Sequence, residues 1–139
     1  MLLDILLGVL TLLPVPGGGE RRRARKLTAA VEAGQVVSFE GSAIGDRPYC
    51  RPTLGFLSVS RSTLAVAPTE EPGLNRRPVP LVHLELVRVR ERAKTDPAAV
   101  RRYWQVAECR DRGEPVLFAC SPAYMPLLTA TLREPVATG

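Results

Sequence analysis

The sequence predicts a mainly β fold: six or seven short antiparallel strands closed by one C-terminal amphipathic helix, with an apolar helix ahead of them. Three observations carry this. From residue 36 onward, short β-branched and apolar runs alternate with turn residues at strand spacing. The segment SPAYMPLLTATLRE instead places Tyr124, Leu127, Leu128, Thr131 and Leu132 at helical spacing on one face. At the other end, MLLDILLGVLTLLPV is apolar except for Asp4 and Thr11 and runs into glycines and a basic cluster. A chain of 139 residues is long enough for one domain and an appendage. The boundaries read as an anchor at 1–19, a basic juxtamembrane helix at 20–34, the β-domain at 35–134 and a tail at 135–139.

The first segment is marginal as a membrane span, since nineteen helical residues rise roughly 28 Å against a hydrocarbon core of about 30 Å. Asp4 fits the far interface and Pro16 with Gly17–Gly19 the near headgroups. The bases follow the apolar run rather than precede it, and no small-residue cleavage site is clear. An uncleaved single-pass anchor in the cell membrane is therefore expected. The positive-inside rule puts the C-terminal domain in the cytoplasm. The alternatives are a cleaved export signal, leaving an exported small β-domain, and an apolar arm lying on or in the protein.

The net charge of +5 is concentrated: ERRRARK holds Arg21, Arg22, Arg23, Arg25 and Lys26 against Glu20, and the rest of the chain is nearly neutral. These five bases read as membrane-proximal, setting topology and attracting anionic lipid. A nucleic-acid partner is not expected, because no basic face with interleaved aromatics stands out. Helix formers continue to Ala33, and Gly34 is placed as a stop. Leu27 and Val31, four apart, give this helix an apolar stripe that could dock on the domain.

A first strand is expected over 36–44. Turn chemistry at Gly45-Asp46-Arg47-Pro48 follows, and then a hairpin of strands 53–60 and 63–67 with Leu57, Val59, Leu64 and Val66 in the core. TEEPGLNRRP reads as a surface connection. The run from 79 to 93 is long for one strand and changes phase, with Leu84 and Leu86 on one side and Val87 and Val89 on the other; a bulge or bend near Leu86 would bring both sets to one core. Beyond it Arg88, Arg90 and Arg92 alternate along one face. The plain reading is the solvated side of an edge strand, and the functional one is contact with an anionic surface. Residues 102–110 read as a further strand with Trp104 and Val106 on one face, hairpinned through Asp111-Arg112-Gly113-Glu114 to PVLFAC. Ser121 and Pro122 fit a helix start, unless Pro126 delays the regular helix by a turn.

The motifs of the common hydrolase, kinase, nucleotide-binding and zinc-protease classes are absent from the sequence. Cys50, Cys109 and Cys120 have no metal-ligand spacing, and the sole histidine, His83, sits in an apolar run. Cys50 beside Arg51 would have a lowered pKa if exposed. Cys109 and Cys120 read as small buried residues, with a disulfide between neighbouring strands as the alternative. No catalytic residue, metal, cofactor or small-molecule substrate is identified, and the chain is read as a non-enzyme.

The order of elements resembles a pleckstrin-homology-like or GRAM-like domain. The resemblance rests on GFLSVSRSTLAVAP, then VPLVHLELV, then WQVAECRDRGEPVLFAC, and covers about 35–133. It implies two nearly orthogonal sheets forming a partly open barrel capped by the C-terminal helix. With the anchor and its arginines, the chain resembles a small actinobacterial membrane-protein family of unknown function. It departs from phosphoinositide-binding members at the first hairpin, where 45–51 offers only Arg47 and Arg51, with Asp46 beside them. The function expected is a membrane-anchored module that binds a protein partner or an anionic membrane surface.

Overall fold

Gly34 ends the first helix, α1 (Gly18–Glu32), by taking φ +86. The amides of Gly34 and Gln35 bond back to the carbonyls of Val31 and Ala30, which closes the helix in a Schellman turn. The structure, a computed structural model, describes residues 18–70 and 75–133. Residues 1–17 of the anchor expected at 1–19 and the tail at 135–139 lie outside them, and no helix of the described residues is long and apolar enough to cross a membrane. Gly18 and Gly19, expected to break the chain, belong to the helix.

Seven strands follow: β1 (Val37–Gly45), β2 (Gly55–Val59), β3 (Leu64–Ala67), β4 (Arg77–Pro78), β5 (Leu84–Glu91), β6 (Gln105–Asp111) and β7 (Glu114–Cys120). All pairings are antiparallel, in the order β4-β3-β2-β1-β7-β6-β5. Helix α2 (Met125–Arg133) comes last. The fold is thus a seven-strand antiparallel open sheet with a C-terminal helix.

Strand β1 is the hinge of the sheet. Its first half pairs with β2 and its second half with β7, and the exchange falls at Gly41, which faces Gly55 on one side and Cys120 on the other. A side chain at 41 would collide with Leu57, and one at 55 with the carbonyl of Ala67. The two facing glycines let the strands approach where the partner changes.

Alternation then sets the core. Phe39, Ala43, Leu57, Val59, Leu64, Val66, Val116 and Phe118 are buried, including all four core residues expected of the first hairpin. Helix α2 covers them with Met125, Leu127 and Leu128, and Tyr124 stacks on Phe39 at 5.0 Å. Thr131 donates to the carbonyl of Ser60, tying the helix to the β2–β3 turn. Helix α1 adds buried Ala24 with Leu27, Ala30 and Val31 alongside, so the expected apolar stripe does dock. The opposite face of β1, β6 and β7 is covered by the β5–β6 connection through Val100 and Trp104.

Several expectations need correction. Arg77–Pro78 is a short edge strand on β3 rather than part of a surface loop, allowed because an edge position leaves proline's missing N–H without a ladder partner. The run from 79 to 93 is not one strand, since Leu81–His83 forms a 3-10 turn and pairing begins at Leu84. The register does shift between Leu86 and Arg88. The shift brings Leu84, Leu86 and Val89 to the core but leaves Val87 50% exposed, so only one of the two valines is recovered. Residues 102–104 are turn and loop, not strand. Helix α2 starts at Met125, a turn after Ser121, as Pro126 allows. Cys109 and Cys120 are buried free thiols rather than a disulfide, facing Val116 and Gln105 and not each other.

Candidate functional site

The connection between β1 and β2 carries two prolines and leaves the sheet, and its one buried aromatic, Tyr49, turns inward. The ring stacks on Phe118 at 6.2 Å and the hydroxyl donates to Asp111 Oδ2 at 2.7 Å. Asp111 ends β6 and is wholly inaccessible. Arg47 Nε donates to the same oxygen at 3.2 Å, so a buried carboxylate is held by one cation and one phenol. Its other oxygen, Oδ1, has no partner among the described residues. Burial and the bond to Asp111 push the Tyr49 phenol far above its usual pKa and keep it a donor.

Strand β4 approaches this connection from the other side. Arg77 Nη1 donates to the carbonyl of Pro48 at 2.8 Å. Between the two lies a cleft of about 620 Å³, with buried Tyr49 and Val79 beside Pro80 on its apolar side and Arg47, exposed Arg76 and exposed Arg77 around it. Asp111 answers the charge of Arg47, and no carboxylate is paired with Arg76 or Arg77 among the described residues. The cleft offers three guanidinium groups over an apolar floor, Arg47 held by Asp111 and Arg77 by the Pro48 carbonyl, which suits a carboxylate or phosphate borne on a partly apolar ligand.

Arg21, Arg22, Arg23, Arg25 and Lys26, the bases expected to lie next to a membrane, run along α1 with their side chains exposed. Arg23 pairs with Glu70, both about half exposed, while Arg21, Arg22, Arg25 and Lys26 make no ion pair among the described residues. Arg88, Arg90 and Arg92 are not a free basic stripe. Arg88 and Arg90 both bond to Glu108, Arg90 grips Asp96 through two nitrogens, and Arg92 donates to the carbonyl of Val100. Arg88 ties β5 to β6 across the ladder, and Arg90 and Arg92 fasten the β5–β6 connection to the sheet.

Cys50 is half buried, so the exposure on which a lowered pKa beside Arg51 depended is not met, and burial raises the thiol instead. His83 is exposed in the 3-10 turn rather than enclosed in a strand. Among the described residues no three His, Cys, Asp or Glu side chains converge in a way that could hold a metal ion. The cleft was not visible as a unit from the sequence: Arg47 stood out, but Arg76, Arg77 and Asp111 read as loop and turn residues. Compared with known proteins, the chain matches no family model, no curated protein and no solved structure.

Proposed function

We propose that the chain is a non-catalytic module of pleckstrin-homology-like architecture, tethered to the cell membrane by its N-terminal apolar residues, whose cytoplasmic domain holds an acidic protein segment in the Arg47–Arg76–Arg77 cleft. The strand order and the switch of β1 between two neighbours at Gly41 support two sheets set across one another and capped by α2. The cleft is the observation that carries the binding role.

Its position favours a protein over the bilayer that holds the tether. The cleft adjoins Asp111, the last residue of β6, whereas α1 begins beside Ser121, next to Cys120, which pairs with the first residue of β6. A seven-residue strand separates these two ends by about 20 Å. Tyr49, Val79 and Pro80 add apolar contact that a bare headgroup does not use.

The test uses the full chain in lipid nanodiscs and a labelled glutamate-rich peptide with interspersed leucines, followed by fluorescence anisotropy. Binding that weakens with salt, and about tenfold on Arg76→Glu with Arg77→Glu, is the expected result. Peptide affinity untouched by that double change overturns the cleft. If the change instead abolishes capture of phosphatidylserine vesicles added from solution, the cleft serves a membrane and not a protein.

A further inference from the structure

We propose that the turn at 101–104 is the domain's seat on the anionic membrane surface, an inference that rests on the tethered reading above. The turn and the start of α1 share one end of the sheet. Cys120 pairs with Gln105, the next residue, Ser121, donates to Glu20 in the first turn of α1, and a cleft of about 780 Å³ between them is lined by Arg21, Arg101, Arg102, Tyr103 and Trp104. The apolar sequence of residues 1–16 joins the domain at this same end.

The turn is pinned on both sides and bare in the middle. Val100 and Trp104 are buried, the Trp104 amide bonds to the carbonyl of Arg101, and Arg101 Nε contacts Glu40 at 2.6 Å. Between these fixed points Tyr103 takes φ 73, a backbone region that bulky residues seldom occupy, and is 77% exposed. Such strain has no return in packing here; it holds an aromatic ring out in solvent, with the Arg102 guanidinium 5.3 Å from the ring centroid. An amphipathic ring flanked by arginines is the chemistry of a membrane interface, where the ring enters the headgroup layer and the cations meet anionic lipid. Of the acids at this end, Glu40 pairs with Arg101, while Glu20 and Glu91 accept from the neutral Ser121 and Gln105; the exposed Arg21, Arg22, Arg25 and Lys26 of α1, with Arg102, outnumber those two and continue the positive surface.

The experiment reconstitutes the full chain in phosphatidylcholine vesicles with and without phosphatidylserine, both also made with brominated acyl chains that quench tryptophan. The sole tryptophan is moved: Trp104→Phe is combined with Tyr103→Trp, or, as a control beside the β6–β7 turn, with Val82→Trp at a site that is 59% exposed. The expected result is flotation with both vesicle types, quenching at 103 several-fold greater than at 82, and a loss of that quenching on adding Arg102→Glu. Flotation with no quenching at either position overturns the seat while the tether stands. Flotation only on phosphatidylserine vesicles, with quenching at 103, keeps the seat and overturns the tether; flotation on neither overturns both. The unmodified chain serves if a moved tryptophan unfolds the domain: Trp104 itself is then quenched by brominated lipid, and an equal signal in Arg102→Glu overturns the seat.

Discussion

Tyr49 and Asp111 lie far apart in the chain and meet at 2.7 Å, a phenol donating to a carboxylate that water does not reach. The pair fixes where the β1–β2 connection crosses the end of β6 and so fixes one wall of the arginine cleft. Tyr49→Phe removes one hydrogen bond to a charged group and should cost about 2 kcal/mol. Asp111→Ala strands Arg47 and the phenol together and should cost about 3–5 kcal/mol. Urea unfolding of the two single variants and the double variant checks this; a double variant no worse than Asp111→Ala alone is the expected outcome, because the bond is already gone.

Gly41→Ala tests the strand exchange. The new methyl would lie 2.7 Å from Leu57 Cδ1 and 2.9 Å from the Ala119 carbonyl oxygen, so the buried Leu57 side chain must shift and β1 must draw away from β7. A loss of about 1–3 kcal/mol is expected in thermal or chemical unfolding. Gly113 has open space around it but φ +87, so Gly113→Ala should cost only about 1 kcal/mol, from backbone strain alone.

Acid should loosen the β5–β6 connection. Hydrogen bonds from Arg90 hold the Asp96 carboxyl below its usual pKa, and those from Arg88 and then Arg90 do the same for Glu108. A carboxylate whose folded pKa is depressed contributes its stability above the unfolded value, about 4, and loses it as pH falls through the folded value. Asp96→Asn should therefore cost about 1–2 kcal/mol at pH 7 and much less at about pH 2. Unfolding curves at the two pH values provide the check, and Asp96 and Glu108 variants with equal penalties at both would contradict it.

The thiols should be slow to react. Burial raises Cys109 to about 12 and Cys120 further, and Cys50 is raised less, by burial opposed by Arg47. A disulfide reagent at about pH 8, near the ordinary thiol pKa, should modify at most Cys50 in the native protein and all three cysteines after denaturation. Rapid modification of Cys109 would contradict the placement of β6 between β5 and β7.

Local chemistry made much of the β-domain readable in advance. The alternation of Leu57, Val59, Leu64 and Val66 marked the hairpin, and Gly113 marked the two-residue turn that it makes with Arg112, both at positive φ. The Tyr124-to-Leu132 spacing marked α2, and the phase change near Leu86 marked the bulge. What stayed hidden depends on partners distant in sequence. Arg77–Pro78 is a strand only because β3 presents an edge to it, and Asp111 looks like a solvent-exposed turn residue until Tyr49 and Arg47 close over it. The partners of the basic stripe were hidden for a related reason: Glu108 lies across the ladder from Arg88, and Asp96 faces Arg90 only once the connection folds back.

The central claim is an orientation, with the 101–104 turn against the bilayer and the arginine cleft turned away from it. Energy transfer to acceptor-labelled lipids measures this directly in the reconstituted full chain, with a donor fluorophore placed by a non-natural residue at position 103 or at position 76. Strong transfer from 103 and much weaker transfer from 76, in line with the roughly 20 Å length of β6, is the predicted result. Equal transfer from both, or stronger transfer from 76, would contradict the orientation.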